Sequence, residues 1–244
     1  MKQKKLPSEG LRKRISNVVH RAICEETLGD GQGLCHLYCR VGKVVTTALT
    51  GHKYAFQIGE AMVRRNEDYP NYRFLSINPS EKNGQFHAWF VRVPENMDSD
   101  THFRIDNIDD LEMVDLSFRH FPGLAKSVGL EWQRSNWPLF FWGTQRELTR
   151  LGVGFKCDAT LLENFKFRDF ELIEKIIARA KLITEGKSPP LPEVFFQLDP
   201  NDGKFILRLK GQQSRKVTLN ELESTGLLSA EELEECRNFA KNWK

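Results

Sequence analysis

No stretch of the 244 residues approaches the roughly 18 consecutive apolar positions that a membrane-spanning helix needs, so the sequence predicts no transmembrane segment. Met1-Lys2-Gln3-Lys4-Lys5 carries charge, but no apolar signal core follows it. Excess charge of one sign is nearly absent. A formal net charge of +3 is too small to argue for a nucleic-acid or membrane-surface partner. Cysteine is scarce as well: Cys24, Cys35, Cys39, Cys157 and Cys236 are odd in number and scattered through a chain too long to need disulfide staples. That pattern predicts reduced thiols and a cytoplasmic protein, in which one cysteine is free to be reactive. Internal repeats and low-complexity tracts are also missing.

What is present is the material of a globular protein. Hydrophobic residues make up 40% of the chain and charged residues 28%, ordinary for a folded domain. Ser8 reads as the N-cap of a helix with a 3.6-residue stripe of Leu11, Ile15, Val18, Val19, Ala22 and Ile23. Its other side carries Arg12, Lys13, Arg14 and Arg21. Three alternate glycines in Leu28-Gly29-Asp30-Gly31-Gln32-Gly33 forbid regular helix. A second helix is expected from near Leu34 to Leu49, its buried side marked by Leu37, Val41, Val44, Val45 and Ala48. Cys35 would therefore open a buried helix just after a glycine-rich loop.

Beyond Gly51 the pattern turns to strands, expected at 53–64, 72–78 and 85–93. Phe86-His87-Ala88-Trp89-Phe90-Val91-Arg92-Val93 is aromatic and β-branched, as a sheet requires, with Asn83-Gly84 as a tight turn before it. A polar loop is expected at 95–110, then a short apolar strand at 111–118 that carries Asp115. The aromatic-rich stretch 123–150 reads as irregular, and a third amphipathic helix at 165–183 follows through Phe170, Ile173, Ile176, Ile177 and Ala180. Lys187-Ser188-Pro189-Pro190-Leu191-Pro192 reads as a linker. The expected organisation is a main α+β domain over 1–186 and a small appendage over 187–244, made of a hairpin (194–198 and 205–209) and a final helix at 229–243.

Three residues in this order form a chemical constellation: a cysteine at a helix start, a histidine on a strand and an aspartate on the next. The positive end of a helix and a neighbouring imidazolium both favour the thiolate, which is the reactive form. A histidine on a rigid strand can take and return that proton near neutral pH. A carboxylate beside it fixes the tautomer. Asp115 among Met113, Val114, Leu116 and Phe118 needs a partner, because an unpaired carboxylate in an apolar strand is costly.

Gly31-Gln32-Gly33-Leu34-Cys35, Phe86-His87-Ala88-Trp89-Phe90 and Val114-Asp115-Leu116-Ser117 together resemble the transglutaminase-like branch of the papain-like cysteine enzymes, over roughly residues 28–120. The resemblance implies an α+β fold with the catalytic-cysteine helix packed on an antiparallel sheet. It implies Cys35 as nucleophile, His87 as base and Asp115 as the orienting acid, with Gln32 and Gly33 at the oxyanion and Trp89 at the substrate. The implied reaction is acyl transfer through a thioester on a peptide or amide substrate, with hydrolysis preferred, no cofactor and no metal. Three alternatives stand beside it. One is a non-catalytic protein-binding module that uses the tryptophans at 132–142 or the appendage. Another is a zinc site at Cys35, Cys39 and His87, with Asp115. The third is a nucleic-acid-associated protein that uses the basic N-terminal arm.

Overall fold

In the computed structural model, which describes residues 6–63, 72–73, 86–94, 111–127, 136–158, 160, 170–198, 204–230, 233–234 and 236–238, the chain is of the α+β class. It divides into two compact units, Met1–Ile23 with Gly31–Ser188 and Cys24–Asp30 with Pro189–Lys244.

Helix α1 (Glu9–Thr27), which belongs to the first unit through Ile23, starts where expected, with the Leu11 N–H donating to Ser8 Oγ at 3.3 Å. Ile15, Val19, Ala22 and Ile23 are fully buried along its stripe. Helix α2 (Cys35–Thr50) buries Leu37, Tyr38, Cys39, Val41, Gly42, Val45 and Thr46. Val44 and Ala48, expected on that face, are exposed. The helix is turned by the close approach at Gly42, where a Cβ would press on Leu116 and Phe90. The absence of a side chain there lets α2 lie directly on the sheet.

That sheet is curled, antiparallel and six-stranded: β1 (Tyr54–Val63), β2 (Tyr72–Arg73), β3 (His87–Arg92), β4 (Met113–Asp115), β5 (Phe141–Gly143) and β6 (Val153–Cys157). The order is β2-β1-β3-β4-β5, with β6 also paired to β1. Tyr54 to Gly59 of β1 pair with Arg92 to His87 of β3, and Gly59 to Val63 pair with Cys157 to Val153 of β6. Gly59 belongs to both ladders, and a Cβ there would strike the Lys156 carbonyl.

Alternation along the strands sorts two cores. One face, with Phe90, Val114 and Leu116, packs with α1, α2 and α5 (Phe170–Thr184). The other face gathers Trp89, Val91, Met113, Phe118, Phe121, Phe141 and Phe155. Glu112 stitches the sheet ends together: its Oε1 accepts from Tyr54 Oη and Trp142 Nε1, each at 2.8 Å, and its Oε2 from Arg92 Nη1 at 3.2 Å. Burial, and then the Glu112 charge, push the Tyr54 hydroxyl pKa up.

Several expectations change here. The strand at 111–118 stops at Asp115, because Asp115 Oδ1 accepts from both the N–H (2.9 Å) and the Oγ (2.7 Å) of Ser117 and turns the chain. A 3-10 turn (Phe118–His120) follows. The stretch expected to be irregular contains α3 (Phe121–Ser127), β5 and α4 (Gln145–Arg150), the last with a complete Thr144/Glu147 capping box. Strand β6 was not expected. Phe170 begins α5 exposed, with the Arg40 guanidinium 5.9 Å from its ring. The loop at 95–110, the segments 74–78 and 165–169, and most of the tryptophan run lie outside the described residues.

The second unit holds a three-stranded antiparallel sheet, β7 (Val194–Leu198), β8 (Phe205–Leu209) and β9 (Arg215–Val217), and helix α6 (Leu219–Ser224), where a hairpin and one helix were expected. Phe205, Leu207, Val217, Leu222 and Cys236 form its core. The Arg208 guanidinium lies over Phe195 at 5.5 Å and donates to the Thr27 carbonyl at 3.1 Å. The helix expected at 229–243 falls largely outside the described residues, although Leu233 N donates to Ser229 O at 3.0 Å.

Candidate active site

His87 opens β3 on the same face as Trp89, and Asp115 ends the neighbouring β4, where Phe90 pairs with Val114 and Val91 with Met113. Both side chains are 1% exposed, and His87 Nε2 lies 2.9 Å from Asp115 Oδ2. With Ser117 holding Oδ1, both carboxylate oxygens are satisfied despite deep burial. Three aromatic rings enclose the imidazole. Trp89 stacks at 6.0 Å, Phe121 meets it edge-on at 5.0 Å, and Phe155 lies 4.9 Å away. Burial alone would lower the imidazole pKa. The charge and hydrogen bond of Asp115, aided by Cys35, outweigh it and raise the pKa to about 9.

Nε2 faces the carboxylate, so Nδ1 is the ring atom left for other chemistry. It is buried and has no hydrogen-bond partner among the described residues. Cys35 is near enough for its charge to act on the ring. The Cys35 thiol is half-buried at the first position of α2, and it donates to the Phe86 carbonyl at 3.7 Å, the residue just before His87. Leu34 provides no side-chain cap, so no side chain of the N-cap covers the first amides of α2. Adjacent strands bring His87 and Asp115 together, and the Cys35–Phe86 contact sets the start of α2 beside the residue that precedes His87.

The other three expected site residues have different surroundings. The Gln32 carboxamide packs on Gly123 of α3, where a Cβ would press against its Oε1. Gly33, with φ +77°, borders open space. Trp89 is corrected: at 1% exposure it is sealed in the sheet and backs the imidazole instead of lining a substrate surface. The zinc set is not assembled. Cys39, one turn beyond Cys35, gives its thiol proton to the Trp89 carbonyl at 2.8 Å, and burial holds its pKa well above the usual thiol range. Among the described residues no group of three or more His, Cys, Asp and Glu side chains could hold a metal ion.

Sequence reasoning missed three sets of contributors. Ser117 had a legible signal, a hydroxyl two residues after an aspartate, which is the spacing of a turn closed by the carboxylate. Phe121 and Phe155 had none, because only the curl of the sheet brings them to His87. The third is a group of three: Tyr38, fully buried on α2, shares its hydroxyl with His20 Nδ1 at 2.5 Å and His120 Nε2 at 2.9 Å. Among the described residues no helix is long and apolar enough to cross a membrane.

No family model matches the chain. No curated protein matches it either. A solved crystal structure described as genomics APC5867 is similar over 86% of this chain and 95% of that chain, at 14% identity and a TM-score of 0.46. A likeness this slight carries no argument about function, so the functional reading rests on the chain's own geometry.

Proposed function

We propose that this chain is a cysteine-dependent acyl-transfer enzyme on a papain-like, transglutaminase-like core, with Cys35 as nucleophile, His87 as base and Asp115 as the orienting acid. One observation carries the reading: a buried His87–Asp115 pair whose second ring nitrogen is unpartnered, beside a thiol at the start of a helix. A structural histidine at 1% exposure ordinarily satisfies both nitrogens.

His87, its pKa raised to about 9, holds at Nδ1 the proton that has left the Cys35 thiol, and Asp115 stabilises this imidazolium beside the thiolate. The sulfur attacks the carbonyl carbon of an amide, forming the S–C bond and moving the carbonyl electron pair onto oxygen. Main-chain N–H groups at the start of a helix suit a developing oxyanion. Collapse breaks the C–N bond as His87 returns its proton to the departing amine, leaving a thioester. Water then attacks the thioester, His87 accepts its proton, and the acid and the free thiol are released. An amine in place of water gives transfer by the same route.

The test has two parts on the wild-type chain. Iodoacetamide should alkylate Cys35 faster than the other four cysteines at pH 7, with the advantage lost in His87→Ala. One equivalent of p-nitrophenyl acetate should release p-nitrophenolate in a burst and leave an acetyl group on Cys35, located by peptide mass spectrometry. Labelling of Cys35 at the rate of an ordinary thiol, with no acetylated peptide, would sink the enzyme reading in favour of a non-catalytic protein-binding module.

A further inference from the structure

Tyr38 lies one turn along α2 from Cys35, and its burial raises a question of cost. A phenol hydroxyl removed from water needs hydrogen bonds. Two imidazoles from distant parts of the chain supply them, His20 of α1 and His120 of the 3-10 turn that follows Asp115. The rings are gathered closely. Tyr38 lies 6.0 Å from His20 at 22° and 5.4 Å from His120, and the two histidines are 5.9 Å apart.

The backbone of the glycine loop closes another side of the hydroxyl. A Cβ at Gly31 would collide with Tyr38 Oη, and Gly31 has φ +80°, a conformation that suits glycine. From Gly31 to Tyr38 the chain is one hydrogen-bonded unit, with Leu34 N on Gly31 O at 3.3 Å and Tyr38 N on Leu34 O at 3.1 Å. Cys35 sits inside that unit. One hydroxyl thus touches the helix that carries the nucleophile, the turn that precedes it, α1, and the segment that leads away from Asp115.

We propose that Tyr38, clamped by His20 and His120, is a positioning residue of the acyl-transfer site: it fixes the Gly31–Gly33 turn against the start of α2. Main-chain N–H groups there then meet the acyl oxygen as negative charge develops on it. This inference rests on the acyl-transfer reading and assigns a role outside the three residues named for it. A phenylalanine would fill the same space in the core, so the hydroxyl and its two imidazoles call for a reason beyond packing.

Two reactions of Cys35 separate the role from general support. Alkylation by iodoacetamide forms an S–C bond and expels iodide, with no oxyanion. Acylation by p-nitrophenyl acetate forms the S–C bond, places negative charge on the carbonyl oxygen, then breaks the C–O bond and releases p-nitrophenolate. Only the second reaction depends on how the turn is set.

In the full-length chain, Tyr38→Phe should keep alkylation of Cys35 within about twofold of wild type while single-turnover acylation falls roughly tenfold, a fraction of what loss or misplacement of a whole oxyanion donor costs. Gly31→Ala keeps the hydroxyl but displaces it, and should give the same split. His120→Gln, whose carboxamide can still hydrogen-bond the hydroxyl, should restore most of the acylation that His120→Ala loses; this pair carries the comparison if Tyr38→Phe does not fold. Parallel loss of both reactions, or unchanged acylation in Tyr38→Phe and His120→Ala, overturns the positioning role. A wild type that forms no thioester overturns the acyl-transfer reading itself, and that result is seen before any variant is made.

Discussion

The buried His87–Asp115 pair should make the first unit's stability depend on pH in a defined window. The imidazole pKa rises from 6.5 to about 9 on folding, because the Asp115 charge and hydrogen bond more than reverse the effect of burial. The folded state therefore binds this proton more tightly than the unfolded chain. Its contribution is complete below about pH 6.5, where both states are protonated, and is lost as pH rises through about 9. Two and a half pKa units correspond to about 3 kcal/mol, a large part of a domain stability on the order of 5–15 kcal/mol. Urea unfolding followed by tryptophan fluorescence at steps from pH 6 to 9.5 would measure it in wild type and in His87→Gln. The buried Cys39 thiol and the Tyr54 hydroxyl also titrate high, and they add their own alkaline slope to both proteins. Subtracting the variant curve isolates His87. The difference should shrink by about 3 kcal/mol across the window. A difference that stays flat would mean that no proton is held by this pair, and the base assignment would go with it.

Three further outcomes follow from the geometry. In Asp115→Asn the Ser117 donors keep the carbonyl oxygen, so the amide N–H₂ faces His87 Nε2 and drives the ring proton to Nδ1; acyl transfer should fall on the order of 10²-fold or more, and a loss under threefold contradicts that tautomer. Glu112→Gln puts an amide donor against Tyr54, Trp142 or Arg92, all of which now donate to the carboxylate. It should cost about 3–5 kcal/mol in urea unfolding, and a neutral result would show the network to be dispensable. Gly59→Ala drives a methyl into the Lys156 carbonyl and should cost at least about 2 kcal/mol, with amide exchange in β6 accelerated before that in β3; uniform exchange would contradict the local cause.

Periodicity carried the helices. Ile15, Val19 and Ile23 on α1 and Leu37, Val41 and Val45 on α2 could be placed from spacing alone, because a 3.6-residue stripe has few other meanings. Val44 and Ala48 escaped that reasoning, since the α2 face was chosen by the bare backbone at Gly42 pressed on Phe90 and Leu116. Asp115 was legible because a carboxylate among apolar neighbours needs a partner, and His87 is its partner in space. The region after Phe118 was harder. Its dense aromatic residues show no clear alternation, although Thr144 and Glu147 spell a capping box that the sequence does display. The pairing of β6 with β1 and the meeting of His20, Tyr38 and His120 have no local signal at all. They are consequences of the sheet's curl, which no window of neighbouring residues encodes.

Gly59 pairs with His87 on one side and with Cys157 on the other, and this has a consequence during synthesis. The His87 partner is made soon after β1, but the Cys157 partner is translated nearly a hundred residues later. At about 5–20 residues per second, the second edge of β1 waits on the order of 5–20 s for its neighbour, an interval in which His87 and then Asp115 join Cys35 on the nascent chain. For that interval the edge presents unpaired amides and carbonyls to any other extended chain. Crowded translation, slow codons between β3 and β6, or loss of an early-acting chaperone should therefore deplete this protein through aggregation, even when its finished fold is stable.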